Sequence, residues 1–228
     1  MSGSAKRVRR VFAATRDLID AIHPGTGAES IKRLRKRFLA PAAIFESGAH
    51  ILEGMGMHHS DALLLSLIPE LSRYTQIERF GSHALVNTLV KAEEYVRPLF
   101  LGHAYEHFFM LALNAEGRLL SCVLLQKGTT NKAPFYVRNV LSEVVRTHAS
   151  AIVICHNHPG STLMPSQSDI NCTLSLIAAL EPLGVPLLDH LIVADHKVMS
   201  IRDARLIRDA LWLAQAPGDP LVQNWLSL

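Results

Sequence analysis

A chain of 228 residues, 49% hydrophobic and 19% charged, can bury a core of ordinary domain size with a smaller domain beside it, and is too apolar to be disordered. No apolar run is long enough to span a bilayer, and the polar, basic N-terminus has no apolar stretch of the signal-peptide kind, so neither a membrane protein nor a secreted one is expected. The net charge of +3 conceals an asymmetry: residues 1–40 hold ten Lys or Arg against three acids, a local +7, leaving −4 on the remainder. Cys122, Cys155 and Cys172 are odd in number and widely spaced, which fits neither a disulfide framework nor a Cys-x-x-Cys metal knuckle and suits a reducing cytoplasm.

Taken in chain order, residues 1–80 read as a small helical domain, with helices in VRRVFAATRDLIDAIH, AESIKRLRKRFL, AAIFESGAHILE and SDALLLSLIPELSRY. The glycine-containing turn GMGM (Gly54 to Met57) separates the last two. The basic excess suggests phosphate contacts, most naturally nucleic acid, while a solvated helix face on SIKRLRKRF explains it equally well, because no aromatic residues are interleaved with the charges. QIERFGSHALV (Gln76 to Val86) reads as the linker.

Residues 84–228 read as an α/β domain. KAEEYVRPLFL is a helix, and strands are expected at 107–114, 118–125, 149–155 and 186–194, alternating with helices at 137–148 and 167–181. NAEGR is a hairpin turn, where Glu116 is simply exposed. The tail is expected to add a helix from about Asp203 and then an extended end, with Trp212 and Trp225 as packing anchors.

The chemistry concentrates in CHNHPGSTLMPSQSD, residues 155–169. The apolar, β-branched run ASAIVIC before it is a buried strand, so His156 and His158, two apart, leave the backbone on one side and Asn157 turns to the other. Pro159 and Gly160 stop the ladder. Ser166 and Asp169 have the spacing of a helix N-cap with an acid three residues on, a purely structural role. The same carboxylate, a short loop from two imidazoles on one face, is also the third ligand of a catalytic zinc with one position left for water.

HNHPGSTLMPSQSD resembles the His-x-His-Pro…Ser-x-x-Asp motif of the JAB/MPN (JAMM) zinc metalloproteases, and specifically their RadC branch. EEYVRPLFLGHAYEHFFMLALNAEGRLLS, KGTTN, VRNVLSEVVRTHASA and LGVPLLDHLIVADHKVMS resemble RadC as well, so the likeness covers most of residues 84–203. It implies a JAB/MPN-like mixed sheet flanked by helices, Zn²⁺ held by His156, His158 and Asp169, Glu106 as general base, and Ser166 donating to the oxyanion. Read without the resemblance, Glu106 is an ordinary solvated charge at a strand entry. His190 in LLDHLIV is placed to support the ligands from behind. The resemblance also implies a helix-hairpin-helix around GMGM, degenerate here because HHSD follows the glycines. Two departures, Gly160-Ser161-Thr162 after the His-Pro and Val123-Leu124 where an acidic pair is usual, leave every proposed ligand in place and alter the cleft walls. Three functional classes follow: a zinc hydrolase of amide or isopeptide bonds acting on a peptide or isopeptide substrate, a DNA-binding repair accessory or nuclease, and an MPN interaction module without activity.

Overall fold

The computed structural model describes residues 3–38, 41–103, 105–128, 133–159, 162–194, 197–208, 211–212 and 214–226. The chain divides into two compact units, Met1–Tyr74 and Thr75–Leu228. The first contains α1 (Gly3–Ile22), α2 (Gly27–Arg37), α3 (Ala42–Glu46), α4 (Ala49–Gly54) and most of α5 (His59–Glu78). Phe12, Ile19, Ile31, Leu34, Ile44, Leu52, Ala62 and Leu65 bury their side chains together at helical spacing. The expected single helix over 42–53 is two helices, because Ser47 turns extended (ψ 129°) and closes α3.

In the turn between α4 and α5, Gly56 takes φ +83°, and the amides of Gly56 and Met57 return to the carbonyls of Glu53 and Leu52. Arg33 donates to the Gly56 carbonyl at 3.0 Å. These groups therefore close α4 instead of facing outward. Lys32, Arg33, Arg35, Lys36 and Arg37 of α2 are all exposed.

The second unit is a mixed five-stranded sheet in the order β2-β1-β3-β4-β5 with helices on both faces. Its strands are β1 (His107–Leu113), β2 (Leu119–Lys127), β3 (Ala151–Asn157), β4 (Leu187–Ala194) and β5 (Lys197–Ser200). Only β3 and β4 run parallel, joined through α8 (Gln167–Leu180). One face packs on α6 (Leu89–Leu99) and α9 (Pro220–Leu226), the other on α7 (Ala133–Thr147) and α8. The parallel pair β3 and β4 is buried throughout, as helices on both faces require. Among the described residues the three cysteines are free, and no helix is long and apolar enough to cross a membrane.

Several expectations need correction. The linker read at 76–86 is helical up to Glu78, and its end is core: Ala84 and Val86 are buried and bond to Leu119 and Gly117 through the main chain. A fifth strand, β5, was missing from the expected set; its four residues are too few to show a period. The helix expected from about Asp203 does not start there: residues 201–205 are turns, with Arg205 at φ +53°, and among the described residues of this stretch Leu211 and Trp212 are helical. The C-terminal end is helical instead of extended, because Asp219 accepts the Leu221 amide as N-cap and Pro220 sits at the first helical position. Trp212 and Trp225 are buried anchors, as expected.

Trp225 fastens α9 to the sheet through Asp189, whose carboxylate is fully buried in β4. Asp189 accepts from Ser200 Oγ (2.6 Å), Trp225 Nε1 (3.3 Å) and the amides of His190 (2.7 Å) and Arg202 (3.3 Å). Burial pushes its carboxyl up to about 6, although the four donors oppose that rise. Asp189→Asn would turn an N–H against this ring of donors. We expect it to cost about 3 kcal/mol or more, read as a lowered denaturation midpoint; an unchanged midpoint would remove Asp189 from the account of the fold.

Candidate metal centre

Alternation along β3 puts Ile152, Ile154 and His156 on the face covered by α7 and α8. His156 is completely buried and pairs in register with Phe108 of β1, whose ring stacks on the imidazole at 5.9 Å. His158 lies just past the strand but stays extended, since its amide bonds to Val193 of β4 at 2.9 Å. Its side chain therefore returns to the same side, and the two Nε2 atoms stand 2.8 Å apart. Asn157 points to the opposite face.

The third candidate ligand comes from the start of α8. Ser166 is the N-cap, and its amide and hydroxyl both donate to Asp169 Oδ2 at 2.7 Å, while Asp169's amide donates back to Ser166 Oγ at 3.2 Å. With Oδ2 clamped in the capping box, Oδ1 faces His156 Nε2 at 3.4 Å. The capping role and a ligand role, alternatives in the sequence, are thus geometrically compatible: the cap holds Oδ2 and leaves Oδ1 facing the histidines. Among the described residues His156, His158 and Asp169 form the one group of three able to share a metal ion.

Proton accounting shows what this arrangement favours. His158 Nδ1 lies 2.8 Å from the Thr162 carbonyl, which can only accept, so Nδ1 carries a proton. Neutral His158 therefore has a bare Nε2 pointed at His156. Two imidazole nitrogens and a carboxylate oxygen converge where a cation, either a proton or a metal ion, relieves the repulsion. The titration tendencies agree with that picture. Interaction with Asp169 raises the His158 pKa, against partial burial. Burial pushes His156 down to about 4, with Asp169 pulling the other way. Burial also opposes ionisation of Asp169, but His158, His156 and Ser166 outweigh it and hold the carboxyl well below the usual range.

Glu106 stands at the entrance to β1. Burial raises its carboxyl pKa, the charge of Asp169 raises it further, and His158 lowers it, so it lies within electrostatic reach of both. Asn157 holds this segment in place: Oδ1 accepts the His107 amide at 2.7 Å and Nδ2 donates to the Tyr105 carbonyl at 3.1 Å, bracketing Glu106 on both sides. The Glu106 carbonyl also accepts the Gly128 amide at 2.7 Å.

The remaining sequence candidates fall as follows. Glu116 is exposed in the hairpin turn, as read. Val123 and Leu124 pair with Met110 and Phe109 on the edge strand β2. Gly160, Ser161 and residues 129–132, which include most of KGTTN, lie outside the described residues.

A family profile described as the RadC-like JAB domain matches residues 86–206, more than half of the chain and all of the groups just described. The chain belongs to the RadC family. Its relatives include UPF0758 proteins from Cupriavidus taiwanensis, 31% identical over 76% of this chain and 76% of that protein, and from Bordetella avium, 31% identical over 81% and 83%. One from Shewanella amazonensis is 34% identical over 59% and 60%. These names describe no activity, so for this RadC-like domain the chemistry has to come from the site itself.

Two residues hydrogen-bonded around the candidate site carry no signal of it in the sequence. Asn157 was seen to turn away, but its partners depend on the antiparallel register of β1 with β3. Thr173, buried on α8, bonds to both Asp169 and His190 and reads in sequence as helix core. If Asn157 fastens the Glu106 segment, Asn157→Ala should speed hydrogen exchange at the His107 amide about tenfold or more, while amides in the middle of β3 keep their protection. Equal exchange in both proteins would contradict that role.

Proposed function

We propose that the protein is a zinc metallohydrolase acting on an amide or isopeptide bond, with a peptide or isopeptide-linked protein as substrate. The observation that carries this reading is the convergence of His156 Nε2, His158 Nε2 and Asp169 Oδ1 beside a partly buried carboxyl, Glu106, of raised pKa. Two nitrogens and one oxygen suit zinc in a site with an open position. Zinc held there supplies Lewis acidity, polarising a carbonyl and making water a stronger acid near neutral pH. Glu106 takes the proton from the attacking water and returns it to the leaving amine, and its raised pKa brings it nearer the range in which a carboxyl can both accept and give a proton. Ser166 is the donor nearest Asp169. Its hydroxyl proton is spent on Oδ2, so donating to an oxyanion requires exchanging that bond. Ser166→Ala therefore weakens the hold on Asp169 as well as slowing turnover.

A second reading, nucleic-acid binding, draws support from the exposed basic run on α2 and from the family likeness. The turn amides spent on closing α4 leave side-chain charge as its basis. Binding of this kind is sequence-independent and salt-sensitive, so Arg35→Glu with Lys36→Glu should weaken it and flatten the salt slope by about two; DNA affinity indifferent to both salt and these changes would dismiss it. The third class, an inactive module, is disfavoured because every proposed ligand and the base are retained.

The decisive comparison is wild type against Glu106→Gln, both purified without chelators. We expect about one zinc per chain in each, and a loss of about a hundredfold or more in hydrolysis of isopeptide-linked peptides for the variant. Cleavage of DNA and not peptide, abolished by Glu106→Gln, would transfer the reading to a nuclease; equal turnover in both proteins would take Glu106 out of the mechanism.

Acidity supplies a further check. His158 has a raised pKa, so below the ordinary imidazole value of about 6.5 it is charged and its proton competes with the metal. Zinc affinity should fall about tenfold per pH unit below that point, with one proton released per ion in calorimetry across buffers. Affinity independent of pH between about 5 and 6.5 would show that His158 is not a ligand.

A further inference from the structure

His190 and Thr173 are completely buried and have no part in the chemistry proposed above. Thr173 Oγ1 lies 2.7 Å from the Asp169 carbonyl oxygen and 2.7 Å from His190 Nδ1. A hydroxyl has one proton and a carbonyl oxygen only accepts, so the Thr173 proton goes to Asp169, as is common for threonine bonding back one helical turn. The contact with His190 must then be an Nδ1–H donating to Thr173 Oγ1. A neutral imidazole carries one N–H, which leaves His190 Nε2 a bare acceptor. At 2.8 Å it faces His156 Nδ1, so that nitrogen carries the proton of His156. His156 Nε2 is left as a lone pair, aimed at His158 and Asp169.

We infer that Thr173 and His190 are positioning residues that fix the tautomer of His156, presenting Nε2 and no other atom to the ion, and that tie this ligand to the main chain of Asp169. The chain of bonds starts on one ligand and ends on the backbone of another, so it couples β3, β4 and the first turns of α8. The hydroxyl of Thr173 is the element that sets its direction. Without it, His190 has no fixed acceptor at Nδ1, and the proton order along His190 and His156 can reverse, placing an N–H where the ion would bind.

Zinc affinity in this test rests on the metallohydrolase reading, but the tautomers do not. Long-range proton–nitrogen correlation spectra of the ¹⁵N-histidine protein at pH 7.5, with metal removed by chelation, distinguish a protonated ring nitrogen from a bare one. In wild type and Thr173→Ser, His190 should be protonated at Nδ1 alone and His156 should carry its proton at Nδ1; Thr173→Val should show a mixed or reversed pattern. Zinc titration by competition with a chromophoric chelator should give Thr173→Val an affinity at least about tenfold weaker, restored in Thr173→Ser. His190 protonated at Nε2 in wild type would overturn the inference, as would Thr173→Val with wild-type tautomers and wild-type affinity. If Thr173→Val does not fold, the wild-type spectrum alone decides. Wild type that shows the expected tautomers but binds no zinc would sink the metallohydrolase reading while leaving the proton order standing.

Discussion

The site depends on where a few buried protons can go. The Thr162 carbonyl takes the Nδ1 proton of His158, His190 takes that of His156, and Ser166 gives two hydrogen bonds to one oxygen of Asp169. What remains unassigned is a lone pair on each of two imidazoles and the second carboxylate oxygen, all facing one point. Burying such groups without a partner is costly, and the protein neither fills the point with an N–H nor opens it fully to water. A cation is the partner that satisfies all three.

The fold supplies this arrangement through three pairings. The antiparallel match of β1 with β3 sets Phe108 against His156 and brings Asn157 to the entrance of β1. The parallel match of β3 with β4 places His190 one row from His156, and the α8 crossover returns Asp169 and Thr173 to the same edge. β4 serves both faces with adjacent residues: His190 turns toward α8 and the site, while Asp189 turns to the other face and fastens α9 through Trp225. A disturbance in the middle of β4 therefore reaches the packing and the site together, because two fully buried polar residues stand side by side in an otherwise apolar strand.

Much of this was legible in the sequence where a local rule governs. A short, β-branched run fixes the alternation of His156, Asn157 and His158, and a Ser-x-x-Asp spacing fixes a capping box, so the candidate cluster follows from residues close together in the chain. Other features lay beyond local rules. The roles of Asn157 and Thr173 arise from strand register and from a parallel crossover, partners 52 and 17 residues away in sequence. At the C-terminus a local signal is masked by its polar, proline- and glycine-containing context: Asp219-Pro220 is a helix start, while the left-handed Arg205 ends a run of turns ahead of helical Leu211 and Trp212. The buried Ala84 and Val86 illustrate the converse, since a polar, glycine-containing segment reads as a linker until Leu85 is seen to bridge Arg118.

The central claim is that one metal ion is held by two imidazoles and one carboxylate, with His190 behind the ligands and the cysteines uninvolved. X-ray absorption at the zinc edge of the purified protein tests it most directly. The account predicts a shell of nitrogen and oxygen at about 2.0–2.1 Å, with the outer scattering of two imidazole rings. Sulfur at about 2.3 Å, or the scattering of a third imidazole, would contradict it.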